Sequence, residues 1–103
     1  MYVANFESDT VSVISALTKT VTHTVPVGNT PRGITASNGN IYVENYQAGT
    51  LSIINPATHA VTSTHSVGNA PAGMTTVGTD LYISRFTDNV VSIFDTTNID
   101  MVV

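Results

Sequence analysis

The chain has 103 residues, of which 42% are hydrophobic and 10% are charged, with a formal net charge of −4 at pH 7. This length allows one small domain, residues 1–103, and so few Lys and Arg residues predict no nucleic-acid partner. No apolar run approaches the ~20 residues of a membrane-spanning helix, so no membrane insertion is expected, and the lack of Cys excludes disulfides, thiolate metal ligands and cysteine nucleophiles.

The composition favours strands. Threonine occurs 17 times and is accompanied by many Val, Ile, Ser and Tyr residues. Side chains branched at Cβ have restricted χ1 rotamers and pack well on a pleated surface, whereas they are weaker helix formers. Short alternating apolar runs separated by turn residues indicate hairpins rather than crossover helices. The sequence therefore predicts an all-β protein.

A gapless 40-residue repeat organises the whole chain. Residues 1–40 align with 41–80, with more than a third of the positions identical, and a partial third copy covers 81–103. The residues that recur 40 positions later include Tyr2, Asn5, Thr10, Ser12, Ile14, Thr18, Val21, Thr22, Thr24, Val27, Gly28, Asn29, Pro31, Gly33 and Thr35. A constant period of this length is typical of stacked repeat architectures.

Four strands are predicted within each complete repeat. In the middle of the chain they cover 33–37, 41–46, 50–55 and 60–67, with turns rich in Asn, Gly and Pro between them. Four short antiparallel strands per ~40 residues is the pattern of a β-propeller blade. About two and three-quarter blades, and therefore an incomplete ring within one chain, are expected.

Three tetrapeptides at constant spacing carry a family resemblance. Residues 2–5, 42–45 and 82–85 read YVAN, YVEN and YISR, and the segments 10–14 and 25–34 accompany the first of them. This linked set resembles the YVTN family of secreted and cell-surface β-propellers. The resemblance implies that the Pro-x-Gly-Ile/Met-Thr segment lines a central channel. It also implies an extracellular or cell-surface location, with the periplasm as the alternative.

Arg32 is the candidate ligand contact. It precedes the inner-strand Gly33, where the next repeat has Ala72, and the resemblance places it near the channel mouth. A guanidinium there could hold an anion, although a single arginine is also typical of a solvated loop. Glu44 and Arg85 occupy adjacent repeat positions whose side chains point to opposite faces. This favours an inter-blade salt bridge or simple solvation over catalysis.

No catalytic residue, metal site or cofactor is expected. His23 and His65 fall on outer strands and His59 falls in a turn, without the spacing of metal ligands. The sequence has neither a nucleophile elbow nor a glycine-rich phosphate loop.

These observations favour a non-enzymatic extracellular or surface module with a binding or structural role, which belongs to a larger propeller and contacts protein or glycan. Apolar blade faces need cover, so other blades are expected partners, from the same longer chain or from other copies. Two alternatives stay open. One is a fragment of a propeller enzyme, such as a lactonase or the propeller subunit of a periplasmic oxidoreductase. The other is a self-assembling surface or filament component that completes the ring by homo-oligomerisation.

Overall fold

The computed structural model of the protein describes residues 1–37, 39–67, 71–85 and 90–95. The strands of these described residues are β1 (Tyr2–Asn5), β2 (Thr10–Ile14), β3 (Val21–Pro26), β4 (Pro31–Ser37), β5 (Asn40–Asn45), β6 (Thr50–Asn55), β7 (Ala60–Ser66), β8 (Pro71–Val77), β9 (Asp80–Arg85) and β10 (Val90–Asp95). Within the described ranges no helix is long and apolar enough to span a membrane.

Strands that follow one another in the chain pair in antiparallel fashion and build three sheets. The first sheet contains β1-β2-β3, the second sheet β4-β5-β6-β7, and the third sheet β8-β9-β10. The predicted all-β fold is confirmed. The four strands predicted between residues 33 and 67 begin and end within two residues of β4 to β7. The predicted outer strand of the third repeat falls on residues outside the described part.

The backbone repeats even where the side chains differ. Lys19 and His59 are equivalent residues, and both have a positive φ, of 58° and 57°. This left-handed conformation costs a non-glycine residue roughly 1–2 kcal/mol. In each turn a hydrogen bond offsets the cost, because the two amides donate to the carbonyls of Ser15 and Asn55, at 2.8 Å in both cases.

An asparagine joins neighbouring strands in each of the first two sheets. Asn45 Nδ2 donates to Thr50 Oγ1 at 3.1 Å and to Ser52 Oγ at 2.9 Å. Asn5 makes the same two bonds, at 3.0 and 2.8 Å, to the equivalent hydroxyls of β2. These bonds hold the register of the strand pair, in which a slip by one residue would turn every apolar side chain to the other face.

The sheets pack face to face, and each packed pair has its own apolar core. The buried core between the first and second sheets consists of Val11, Val13, Val25, Val43 and Ile54. The buried core between the second and third sheets consists of Tyr42, Leu51, Ile53, Val67, Leu81 and Ile83. Because side chains alternate along a strand, Tyr42 and Val43 of β5 belong to different cores. The second sheet is therefore apolar on both faces.

Gly28 lets the loop between the first and second sheets approach Asn45. A Cβ atom at position 28 would lie 2.8 Å from Asn45 Nδ2, which is closer than Cβ atoms approach other heavy atoms in real structures. The glycine thus allows the loop backbone to cover the amide that holds β5 to β6. A side chain at position 28 would displace the Asn45 amide, so this position requires glycine.

Replacing Asn45 by Ala is expected to destabilise the protein by about 2 kcal/mol, because two hydroxyls lose their donor in a buried interface. Asn5→Ala removes the equivalent bonds on the partly exposed side of the first sheet and should cost about half as much or less. Urea denaturation followed by circular dichroism measures both losses. Equal losses of stability in the two variants would contradict the prediction that the buried asparagine contributes more than the partly exposed one.

Candidate functional site

The loops that connect β1 to β2, β3 to β4 and β5 to β6 lie together at one end of the stacked sheets. Hydrogen bonds of Thr30 join the three loops. Its amide donates to Asp9 Oδ1 at 2.9 Å, and its hydroxyl donates to Gln47 Oε1 at 2.9 Å. Its carbonyl accepts from the amide of Tyr46 at 2.8 Å. Thr30 is buried and has a φ of 58°, which threonine rarely adopts. We call this set of bonds the Thr30 clamp.

The Thr30 clamp positions Arg32, which lies two residues further along, at a bulge near the start of β4. The side chain of Arg32 is exposed, and its guanidinium carbon lies over the ring of Tyr46, 4.8 Å from the ring centroid. Stacking uses the flat face of a guanidinium and leaves its N–H donors directed outward in the plane. The position of Arg32 at a channel mouth stays a prediction, and the contact with Tyr46 is a feature that sequence reasoning missed.

Glu44 is a buried carboxyl beside this pair. It is 1% exposed and lies on β5, directly opposite Gly33 of β4. A Cβ atom at position 33 would lie 2.7 Å from Glu44 Cδ, so only glycine leaves room for the acidic side chain. The other repeats have Ala4 and Ser84 at the position of Glu44. The buried acid is therefore specific to the second repeat.

Burial changes the acidity of Glu44. It raises the pKa of this carboxyl from 4.5 to about 7, and the positive charge of Arg32 lowers the pKa by a smaller amount. Glu44 Oε2 is buried and has no hydrogen-bond partner among the described residues. A neutral carboxyl costs less to desolvate than a carboxylate, so this surrounding favours the protonated form. Glu44 therefore changes charge near neutral pH, where a carboxyl can donate or accept protons.

Simple solvation, one of the two expectations for Glu44, is wrong, because this side chain is buried. The other, an inter-blade salt bridge, stays a prediction, because the side chain of Arg85 lies outside the described part of the chain. The charge that acts on Glu44 within the described part belongs to Arg32, which lies on the neighbouring strand of the same sheet. The structure thus joins Arg32 and Glu44, two residues to which the sequence alone assigns separate roles.

Two histidines meet where the first sheet packs on the second. The rings of His23 on β3 and His59 in the turn before β7 stack, with centroids 4.0 Å apart and planes 24° apart. His59 Nδ1 lies 3.5 Å from the hydroxyl of Tyr2. His65 lies on β7 and is partly buried. Among the residues that the structure describes, no group of three or more His, Cys, Asp or Glu side chains could hold a metal ion.

No protein-family model matches the chain, and no curated protein matches its sequence. Among solved structures, Kuenenia stuttgartiensis hydrazine synthase is similar with a TM-score of 0.88 and 20% identity, over 95% of this chain and 30% of that one. Apo AztD from Citrobacter koseri is similar with a TM-score of 0.75 and 10% identity, over 88% of this chain and 27% of that one.

Both structures are β-propeller proteins. At these identities the likeness shows the fold alone, and the fold fits part of a propeller. The chain spans less than a third of the length of either structure. The resemblance to the YVTN family stays a prediction, because no family model matches.

The stability of the protein is expected to fall as the pH rises from about 4.5 to about 7. The Glu44 carboxyl ionises near 4.5 when unfolded and near 7 when folded, so ionisation favours the unfolded chain within this window. Each unit of difference between the folded and unfolded pKa corresponds to about 1.4 kcal/mol, so the free energy of unfolding falls by about 3 kcal/mol across this window. Below pH 4.5 both states are protonated and this contribution is fully present.

Urea denaturation at pH 4.5 and pH 8 measures this dependence. Glu44→Gln should remove most of it, because glutamine does not ionise. Glu7→Gln, which changes an exposed turn residue, is the matched control and should keep the wild-type dependence. If wild type and Glu44→Gln lose the same stability between the two pH values, Glu44 does not titrate as described.

Proposed function

We propose that the chain is a non-enzymatic binding module made of YVTN-type blades, which forms part of a larger propeller and works outside the cell, at its surface or in the periplasm. The observation that carries the proposal is the exposed Arg32 guanidinium, stacked on Tyr46 and positioned by the Thr30 clamp. Membership of a larger propeller is supported by the similar structures, of which the chain spans only 30% and 27%.

The Arg32–Tyr46 pair suits an anionic group carried by a protein or a glycan. A guanidinium can form two parallel hydrogen bonds with a carboxylate or a sulfate. The clamped backbone and the ring stacking restrict Arg32 before any ligand arrives, which lowers the entropy lost on binding. The net charge of −4 repels a polyanion as a whole. The ligand we propose is therefore a single anionic group on an otherwise neutral partner.

Titration with glucuronate, followed by the amide resonances of Arg32 and Tyr46, tests this site. We expect saturable shifts with glucuronate and none with glucose, which lacks the carboxylate. Arg32→Ala introduces the residue of the next repeat and should weaken binding roughly tenfold, since a charge-assisted pair is lost. Lys19→Ala is the control, because Lys19 is an exposed cation in the turn between β2 and β3. An equal loss in both variants would contradict a local site.

The similarity to hydrazine synthase favours a second candidate, a piece of a propeller enzyme. In that case residues beyond these 103 complete the site, and Glu44, whose pKa is about 7, is the described group suited to proton transfer. A thermal-shift screen against divalent cations, acidic sugars and lactones separates the candidates. Stabilisation by a divalent cation, with lactone hydrolysis that Glu44→Gln abolishes, supports the enzyme. A response to acidic sugars alone supports the binding module.

A further inference from the structure

Within the described part of the chain, the outer face of the third sheet is open and concave. A concavity of about 270 Å³ is lined by Gly73, Met74, Thr75, Tyr82, Ser84 and Val91. Tyr82 and Val91 occupy the repeat positions of Tyr42 and Leu51. The latter two are 0% exposed, because the third sheet covers them. The open face therefore repeats a surface that the protein covers with a sheet elsewhere.

The two packed pairs of sheets bury residues at equivalent repeat positions. Val11 and Val43 belong to the core between the first and second sheets. Leu51 and Ile83, each 40 positions later, belong to the core between the second and third sheets. All four are 0% exposed. Val91 follows Val11 and Leu51 at the same repeat position, and it is 58% exposed.

The residue that corresponds to Val43 and Ile83 in the first sheet is Val3, and it is 39% exposed. Side chains alternate along β1, and Tyr2 packs on the core toward the second sheet, so Val3 points away from that core. On the same outer face lies Asn5 with its two bonds to β2. The second sheet carries the equivalent Asn45 on the face that packs against the first sheet. Among the residues that the structure describes, Val91 and Val3 thus belong to two uncovered faces that match each other.

We propose that the open face of the third sheet binds the first sheet of a second copy of this chain, with Val91 packed against Val3. The contact is head-to-tail, because it joins different faces of the two copies. Two copies bring six sheets together, which is within the four to eight blades of known propellers. The contact depends on the repeat register and not on Arg32, so it can fail independently of the proposed binding function.

Sedimentation velocity of the 103-residue chain tests the contact. Wild type is expected to change from monomer to dimer as its concentration rises. Val91→Glu and Val3→Glu should each stay monomeric, because the contact would bury a carboxylate. Both valines are exposed in the single chain, so both variants should fold, as circular dichroism can check. Leu17→Glu, in a turn residue that is 92% exposed, is the control and should dimerise like wild type.

Mixing the two variants tests the head-to-tail arrangement. Val91→Glu keeps an intact first sheet, and Val3→Glu keeps an intact third sheet. An equimolar mixture should therefore form a complex of two chains and no more, although each variant alone is monomeric. A symmetric contact between two identical faces would instead leave one of the variants dimeric on its own.

A wild type that stays monomeric at every concentration would overturn the proposal. Equal dimerisation of wild type and the Glu variants would also overturn it. A mixture of the two variants that does not associate would do the same. Arg32→Ala should dimerise normally, so the loss of anion binding and the loss of the dimer are separate results.

Discussion

Each sheet of this protein has two faces with apolar side chains, and the burial of both faces against neighbouring sheets is the constraint on which the rest of the structure depends. Both faces of the second sheet are buried, since Tyr42 on one face and Val43 on the other are both 0% exposed. Strands of four to seven residues are too short to enclose a core within one sheet. The stability of each sheet therefore depends on its neighbours, as in other stacked repeat proteins.

The two interfaces of the second sheet differ in their polar groups. Asn45, toward the first sheet, donates two hydrogen bonds, whereas the adjacent Glu44 on the opposite face has an oxygen without a partner among the described residues. In the described part of the chain, a buried carboxyl with a raised pKa lies at the second of these interfaces, which is therefore expected to respond to pH. An anion bound at Arg32 would screen the charge that lowers the pKa of Glu44, so binding at the loop end and protonation of Glu44 would favour each other.

The strands could be predicted closely from the sequence, because the 40-residue repeat and the alternation of apolar residues specify them together. The Thr30 clamp could not be predicted from the sequence, because a single threonine gives no indication that its φ is positive. The stacking of His23 on His59 appears only when two sheets pack. The contact of Arg32 with Tyr46 did leave a signal, because Phe6, Tyr46 and Phe86 place an aromatic ring at the same point of every repeat.

The asparagine bonds also bear on how the chain folds. They join residues only 5 and 7 positions apart, so a strand pair can find its register from contacts within its own repeat. Such local contacts form quickly compared with the pairing of distant strands. During synthesis the strand pairs of each repeat can find their register as they leave the ribosome, and a sheet becomes stable when it docks on the sheet that formed before it. Growth by duplication of the repeat then requires no new folding nucleus.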